Sequence, residues 1–203
     1  MASTARMTGT DLARPLTPAG KRLLDAASAL FYDRGIRAVG VDLIAEVAGT
    51  TKKTLYDRFG SKDGLVVLYL RRREQRWREF VTRHLDEMDG VGTPARALGV
   101  LDALELWMAE QHRGCAFVNA YAELGGSDHP AIDVIRDEKQ WTHALYGRLC
   151  EEAGLANPAD VAAGLHLVHE GVLVLTTAGG RPEAFADGRR AAQHLLAAAR
   201  QAS

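Results

Sequence analysis

The segment from Val41 to Leu65, VDLIAEVAGTTKKTLYDRFGSKDGL, has the pattern of two short helices joined by a tight turn. Apolar residues recur at helical spacing ahead of Gly49, and glycine can adopt the left-handed conformation that a sharp turn between helices requires. Thr51 follows the turn and is a suitable N-cap, because its hydroxyl can accept a hydrogen bond from an amide of the first turn. The pattern predicts a helix-turn-helix unit whose second helix covers residues 51–59.

The second helix of this unit is predicted to bury one side and to expose the other. Leu55 and Phe59 are four residues apart and face inward. The side chains left outside, together with the capping threonine, are those of Thr51, Lys52, Lys53, Thr54 and Tyr56. Lysines at the start of a helix oppose the helix dipole, so an external anion would stabilise them, and DNA phosphate is the obvious candidate. We expect these residues to contact DNA; the alternative is a solvated helix face.

Charge is distributed unevenly between the two parts of the chain. Residues 1–85 contain 16 Lys and Arg and 9 Asp and Glu, a balance of +7, whereas residues 86–203 contain 9 and 17, a balance of −8. Because the whole chain has a net charge of −1, only this distribution is informative. It indicates that the first part approaches a polyanion and that the second part does not.

Helical patterns continue along the chain, and no segment shows convincing strand alternation, so the predicted fold is all-α. A first helix is expected from about Pro18 to Gly35. A helix from about Lys62 to Met88 is long enough to join two domains as a strut. Further helices are predicted at 94–111, 115–124, 131–153, 158–177 and 183–202.

The same pattern divides the chain into three parts. Residues 1–17 lack periodicity and are interpreted as a flexible N-terminal arm, in which Arg6 and Arg14 could touch DNA. Residues 18–64 form the helix-turn-helix domain, and residues 65–203 form a second, helical domain.

No cofactor, metal site or membrane span is expected. Cys115 and Cys150 are too few for a disulfide framework or a zinc site, and we expect both to behave as small hydrophobic residues in a reducing cytoplasm. The most apolar run, 165–178, is interrupted by two histidines and Glu170, which is unfavourable in a bilayer. His166 and Glu170 have the spacing of two metal ligands, but a third is missing, so a hydrogen-bonded pair is favoured.

Residues 20–68 resemble the DNA-binding domain of the tetracycline-repressor (TetR) family of bacterial transcription regulators. The resemblance lies in a Gly after the first helix, Ile-Ala in the second, Ala-Gly at the turn, Lys-x-Thr-Leu-Tyr-x-x-Phe in the third and Ser-Lys opening the fourth. It implies that Lys53, Thr54 and Tyr56 contact DNA, with Tyr56 on a phosphate. It also implies that Lys62 contacts another phosphate, which a helix N-terminus favours.

Two residues depart from the family pattern. Gly40 stands where the family usually has a Thr or Ser that caps the second helix and reaches a phosphate, so that contact is in doubt here. Gly64 stands where the family commonly has Glu, which should loosen the first turn of the strut.

The resemblance further implies that residues 65–203 form a ligand-binding and dimerisation domain with a cavity for an unknown small molecule. The last two helices of each subunit would then form the homodimer interface. The candidate ligand-binding residues are Trp107, Phe117, Asn119, Tyr121, Trp141 and His166.

The predicted function is a sequence-specific DNA-binding transcription regulator, a repressor rather than an activator, released from its operator by the ligand. Its partner would be double-stranded DNA with a near-palindromic operator. A small helical enzyme is the first alternative, but the sequence contains no nucleophile elbow, phosphate loop or metal signature. A non-specific DNA-binding protein is the second, although it would not need an acidic helical domain.

Overall fold

The computed structural model describes residues 15–201, with side chains through Arg200. In the described residues the helices are α1 (Pro18–Arg34), α2 (Val41–Val47), α3 (Lys52–Phe59), α4 (Lys62–Asp86), α5 (Ala95–Met108), α6 (Ala116–Leu124), α7 (Ala131–Glu152), α8 (Pro158–Thr177) and α9 (Ala184–Gln201). That part of the chain contains no strand, and the predicted all-α fold is confirmed. Arg6 and Arg14 of the predicted arm lie outside the described residues.

Local signals set the boundaries of the first helix. The Thr17 hydroxyl accepts a hydrogen bond from the Gly20 amide at 3.2 Å, and Pro18 takes the first helical position, where its missing amide hydrogen costs nothing. Gly35 ends α1 with a φ of 88°, a conformation that glycine adopts readily. α4 ends at Asp86, two residues before the predicted end.

The helices group into two compact units that are not continuous in sequence. The first unit comprises the described residues up to Arg73 together with Ala116–Ile135, so it includes α1 to α3, the start of α4, α6 and the start of α7. Its core consists of the buried side chains of Leu23, Leu24, Ala27, Phe31, Ile44, Leu55, Phe59, Leu65 and Val66. Contacts of α1 with α2 and α3, and of α2 with α3, make the helix-turn-helix a packed three-helix body.

The second unit comprises Glu74–Cys115 and the chain from Arg136 onward. Trp77 stacks near Phe80 and packs against Trp107, with centroids 5.7 Å apart for the two tryptophans. Helix α9 lies along α8 and also contacts α5. A single apolar core, in which Tyr146 and Leu165 are fully buried, connects these helices.

The predicted boundary between two domains at 64/65 stays a prediction, because the two compact units are not divided at one point of the chain. Helix α4 is continuous across the two compact units, since residues 62–73 belong to the first and the remainder to the second. Helix α6, which the sequence pattern places in the second domain, belongs to the compact unit that contains the helix-turn-helix.

Helix α8 is long and apolar enough, by composition, to cross a membrane, and it is the one such helix among the described residues. This differs from the sequence interpretation, in which the two histidines and Glu170 make the run 165–178 unfavourable in a bilayer. In the structure one side of α8 faces the core of the second unit, through Leu165, His169 and Leu173. A core helix of this kind meets the same criteria of length and composition.

Candidate nucleic-acid interface

Helix α3 presents a polar side that is fixed by burial of its other side. Leu55 and Phe59 are fully buried, whereas Lys52 and Lys53 are exposed and Tyr56 has 47% of its surface accessible. The geometry therefore brings these three predicted DNA contacts together on one accessible surface. Their contact with DNA stays a prediction.

Thr51 and Thr54 form the first turn of this surface. The Thr51 hydroxyl accepts a hydrogen bond from the Thr54 amide at 3.2 Å, so Thr51 is the N-cap that the sequence predicts. The two hydroxyls are 3.0 Å apart. Thr54 is half-buried, and its hydroxyl is held beside the cap rather than projecting freely.

Both lysines of α3 have carboxylate partners inside the chain. Lys52 Nζ lies 2.6 Å from Asp42 Oδ1 of α2, and Lys53 Nζ lies 2.6 Å from Asp57 Oδ2, one turn further along α3. These carboxylates offset the unfavourable position of the lysines relative to the helix dipole. Sequence reasoning missed both partners, although the spacing of four residues between Lys53 and Asp57 was a visible signal.

Lys62 is engaged with the protein backbone. Its ammonium donates a hydrogen bond to the Ile36 carbonyl at 2.6 Å and lies 6.0 Å from the centre of the Phe31 ring. Burial lowers the pKa of Lys62, and the nearby carboxylates of Asp63 and Glu123 act in the opposite direction. The predicted phosphate contact of Lys62 stays a prediction, and it would require the ammonium to leave or share this carbonyl.

Helix α2 begins without a side-chain cap. Gly40 is its N-cap, in an extended conformation with φ −84° and ψ 158°, and no side chain bonds to the first-turn amides. A Cβ atom added at Gly40 would meet nothing within 4 Å. The hydroxyl contact expected of the family is therefore missing here, but the site has room for one.

Helix α6 contributes a carboxylate to the turn between α1 and α2. Glu123 accepts hydrogen bonds from the backbone amides of Ile36, at 2.9 Å, and Arg37, at 2.6 Å. A small, partly open hollow lies beside this contact, with Asn119 among its lining residues. Sequence reasoning missed this role of Glu123, because nothing local signals a partner 87 residues away.

The six candidate ligand-binding residues are divided between the two compact units. Phe117, Asn119 and Tyr121 lie on α6 in the first unit, where Phe117 is buried and Tyr121 is exposed. Trp107, Trp141 and His166 lie in the second unit, where all three are half-buried. Whether they bind a ligand stays a prediction.

A cluster of ionisable side chains surrounds His166 in the second unit. Lys139 Nζ lies 2.9 Å from Glu170 Oε1 and 3.2 Å from Glu138 Oε2, and His166 Nε2 lies 3.4 Å from the same Glu170 oxygen. Burial opposes ionisation of Glu170, but the neighbouring His166 and the Lys139 ammonium outweigh it and lower the pKa of Glu170 to about 2. His166 and Glu170 lie close together, but the favoured hydrogen bond is not formed, because His166 Nε2 has no hydrogen-bond partner among the described residues.

The neighbouring His169 is buried and neutral. Burial lowers the pKa of His169 to about 3, and its Nδ1 lies 3.2 Å from the Tyr146 hydroxyl. Burial also raises the pKa of Glu138. In the described part of the chain, no group of three or more His, Cys, Asp or Glu side chains has the arrangement of a metal site.

A three-helix body with a polar, exposed second helix of a helix-turn-helix defines a DNA-reading class of protein. The sequence profile described as "Bacterial regulatory proteins, tetR family" matches residues 23–68. The chain is 33% identical over 134 residues to the uncharacterized HTH-type transcriptional regulator Rv1255c of Mycobacterium tuberculosis, a match that covers 64% of each chain. The matched part of the chain thus spans just under two thirds of that relative's length.

Solved structures extend the likeness over nearly the whole chain. SCO4454, a TetR-family transcriptional regulator from Streptomyces coelicolor, is 25% identical and superposes with a TM-score of 0.82 over 91% of this chain and 97% of its own. The sav143 structure from Streptomyces avermitilis is 30% identical, with a TM-score of 0.75 over 90% and 98%. The chain belongs to the tetR family, whose fold is that of transcriptional regulators and not of enzymes.

The uncapped start of α2 leads to a testable prediction. Gly40→Ser should raise the free energy of unfolding by a few tenths of a kcal/mol, about 0.3, because the hydroxyl can accept a first-turn amide. If the hydroxyl also reaches a phosphate, affinity for operator DNA should rise. Gly40→Ala is the matched control, since it adds the same Cβ without a hydroxyl and should lower stability. Thermal unfolding and DNA titration measure both effects, and equal behaviour of the two variants would contradict the prediction.

Proposed function

We propose that this protein is a sequence-specific DNA-binding transcriptional regulator that acts in the cytoplasm, and a repressor rather than an activator. The observation that carries the proposal is α3, where the exposed side chains of Lys52, Lys53 and Tyr56 stand on a helix anchored by buried Leu55 and Phe59. Occupying an operator is enough to obstruct transcription, whereas activation needs a further surface for the transcription machinery. Repression is therefore the simpler activity for such a protein.

Base and phosphate contacts should be divided among the residues of α3. Lysine can bind guanine in the major groove or a phosphate, and a tyrosine hydroxyl suits a phosphate oxygen. The Thr51 hydroxyl accepts the Thr54 amide and is also bonded to the Thr54 hydroxyl, so its O–H is available to donate to a phosphate when Thr54 is the donor between the two hydroxyls. The Lys52–Asp42 and Lys53–Asp57 pairs are solvent-exposed and weak, so DNA can replace the carboxylates at small cost.

Selection from a random duplex pool tests the DNA-binding proposal. One sequence family should be enriched, and the triple variant Lys53→Ala, Thr54→Ala, Tyr56→Ala should lose at least about 1–3 kcal/mol of binding free energy for it. Lys21→Ala is a suitable control, because it removes one positive charge from an exposed position of α1 in the same unit. Full operator affinity in the triple variant would contradict the role of α3, and binding without any enrichment would identify a non-specific DNA-binding protein.

We also propose a homodimer formed through α8 and α9. Helix α8 exposes Leu167, with 74% of its surface accessible, and Val174, two turns further along. Gly171 lies between them, and a Cβ added there would meet nothing within 4 Å, so a second helix could approach closely. Gly164, by contrast, packs against Leu195 of its own chain. The exposed apolar side chains of α8 support this face as the interface.

A dimer places two α3 helices on one duplex. The two-fold axis then requires a near-palindromic operator, with half-sites about one helical turn, roughly 34–36 Å, apart or a multiple of it. One half-site alone would offer too few contacts for specific binding.

A charge placed on α8 tests the proposed interface. Leu167→Glu should convert the dimer to a monomer at micromolar concentration and abolish operator binding, because a carboxylate buried between helices is unpaired. Light scattering and DNA titration measure the two effects. Leu106→Glu, at an exposed leucine of α5, is the matched control and should leave both unchanged. A monomeric wild-type protein that binds its operator fully would rule the dimer out.

We propose, finally, that a small molecule bound in the helical domain releases the DNA. Such ligands are mostly apolar with a few polar groups, and the charged cluster of Lys139, Glu170 and His166 could bind the polar part. Trp107 and Trp141 of the same unit could bind the apolar part. Release requires that the ligand prefer the conformation that does not bind DNA.

Reciprocity tests the effector proposal. A compound found by thermal-shift screening should bind more weakly when the operator is present, by the same factor by which it weakens operator binding. A 100-fold factor corresponds to about 2.7 kcal/mol. Calorimetric titration with operator, and with a random duplex as control, measures it. Equal affinity in both titrations would exclude the compound as an inducer, and failure of every bound compound would contradict the proposal.

A further inference from the structure

Helix α6 carries a carboxylate that is bound to the backbone of the DNA-reading domain. Glu123 Oε1 accepts the Ile36 amide hydrogen at 2.9 Å and Glu123 Oε2 accepts that of Arg37 at 2.6 Å. Each carboxylate oxygen therefore binds one of two successive peptide groups. Hydrogen bonds to an ionised acceptor are stronger than those between neutral groups, and this pair is the longest-range link in sequence among the hydrogen bonds described for the first unit.

Lys62 holds the same turn from the other side. Its ammonium donates to the Ile36 carbonyl at 2.6 Å, so both the amide and the carbonyl of Ile36 have charged partners. The Glu123 carboxylate is also one of the two that act to raise the pKa of Lys62 against the effect of burial. Together they fix the position of one residue of the turn between α1 and α2.

Gly35 makes room for this carboxylate. Its φ is 88°, and a Cβ atom added there would lie 2.9 Å from Glu123 Oε1, closer than such atoms are found. The glycine that ends α1 therefore also allows the approach of Glu123. The turn therefore has both the space for the Glu123 carboxylate and the amide hydrogens that bind it, and Lys62 binds the carbonyl of the same turn.

The fixed turn leads directly into the DNA reader. Only Ala38, Val39 and Gly40 separate the held residues from the start of α2, and Val39 is fully buried. Helix α2 packs on α1 and α3, so a displacement of its entry residues changes the orientation of α3. We propose that Glu123 is a positioning residue for DNA reading: through its two hydrogen bonds to the turn, α6 sets the orientation of α2 and α3. The inference rests on the proposed function.

The expected signature is a split between specific and non-specific binding. Specific binding requires α3 to match the bases of an operator, whereas binding to random DNA depends on the positive charges facing phosphate. In Glu123→Gln the amide can accept only one of the two backbone hydrogens, and its own NH₂ group opposes the other. Affinity for the selected operator should fall about ten-fold, the order of effect of losing one hydrogen bond to a charged group. Affinity for a random duplex should stay unchanged or rise, because one negative charge is removed.

The test is a titration of the full chain with the selected operator and with a random duplex of equal length. Asp128→Asn is the matched control, since it removes one negative charge from an exposed position of the same unit and should not lower operator affinity. Glu123→Asp retains the charge but is one methylene shorter, and it should reduce operator affinity by less than Glu123→Gln. Amide exchange of Ile36 and Arg37 should be faster in both Glu123 variants.

Each outcome has one meaning. A ten-fold loss for the operator alone, with faster exchange at Ile36 and Arg37, supports the positioning role. Unchanged operator affinity in Glu123→Gln overturns it, as does an equal loss for both duplexes accompanied by a lower melting temperature. If neither Glu123 variant folds, the residue serves folding and the proposal is overturned. If the wild-type protein enriches no sequence from the pool, the proposed function itself has failed.

Discussion

Burial of Leu55 and Phe59 against α1 and α2 is the constraint on which the exposed polar surface of α3 depends. Because both side chains are fully buried, α3 has one rotational setting, and Lys52, Lys53 and Tyr56 point to solvent as a consequence. A helix of eight residues is too short to be stable alone, so its existence also depends on this packing. The buried apolar side of α3 thus determines which of its polar side chains are exposed.

Features with a local cause were predictable from the sequence. The threonine cap at Thr51, the stop at Gly35 and the inward position of Leu55 each depend on residues within one or two turns. The family resemblance added the assignment of these helices to a DNA-binding domain, which periodicity alone does not specify. The end of α4 was misjudged by two residues, because turn hydrogen bonds and a Gly-rich connection compete there with the last helical turn.

Features created by the fold were not predictable in this way. Glu123 is a surface-like residue in the sequence, and only the placement of α6 beside the α1–α2 turn gives it two amide partners. Lys62 has the local context of a phosphate contact, yet the turn offers its ammonium the Ile36 carbonyl. The grouping of α6 with the reader likewise depends on contacts between residues far apart in sequence. Such partners cannot be identified from the sequence, because the two residues of each pair are far apart in the chain and neither has a local signal of the other.

The internal partners of the lysines also change how binding should respond to salt. A free lysine that meets a phosphate releases a condensed counterion from DNA, and the affinity falls steeply with ionic strength as a result. If Lys52 and Lys53 bind phosphate as proposed, they instead exchange Asp42 and Asp57 for it, and each freed carboxylate would attract cations of its own. These carboxylates would also remain near the duplex and repel phosphate unless the groove placed the lysines between them. The two ion pairs would then weaken binding to random DNA more than binding to a matching operator, which would favour specificity over total affinity.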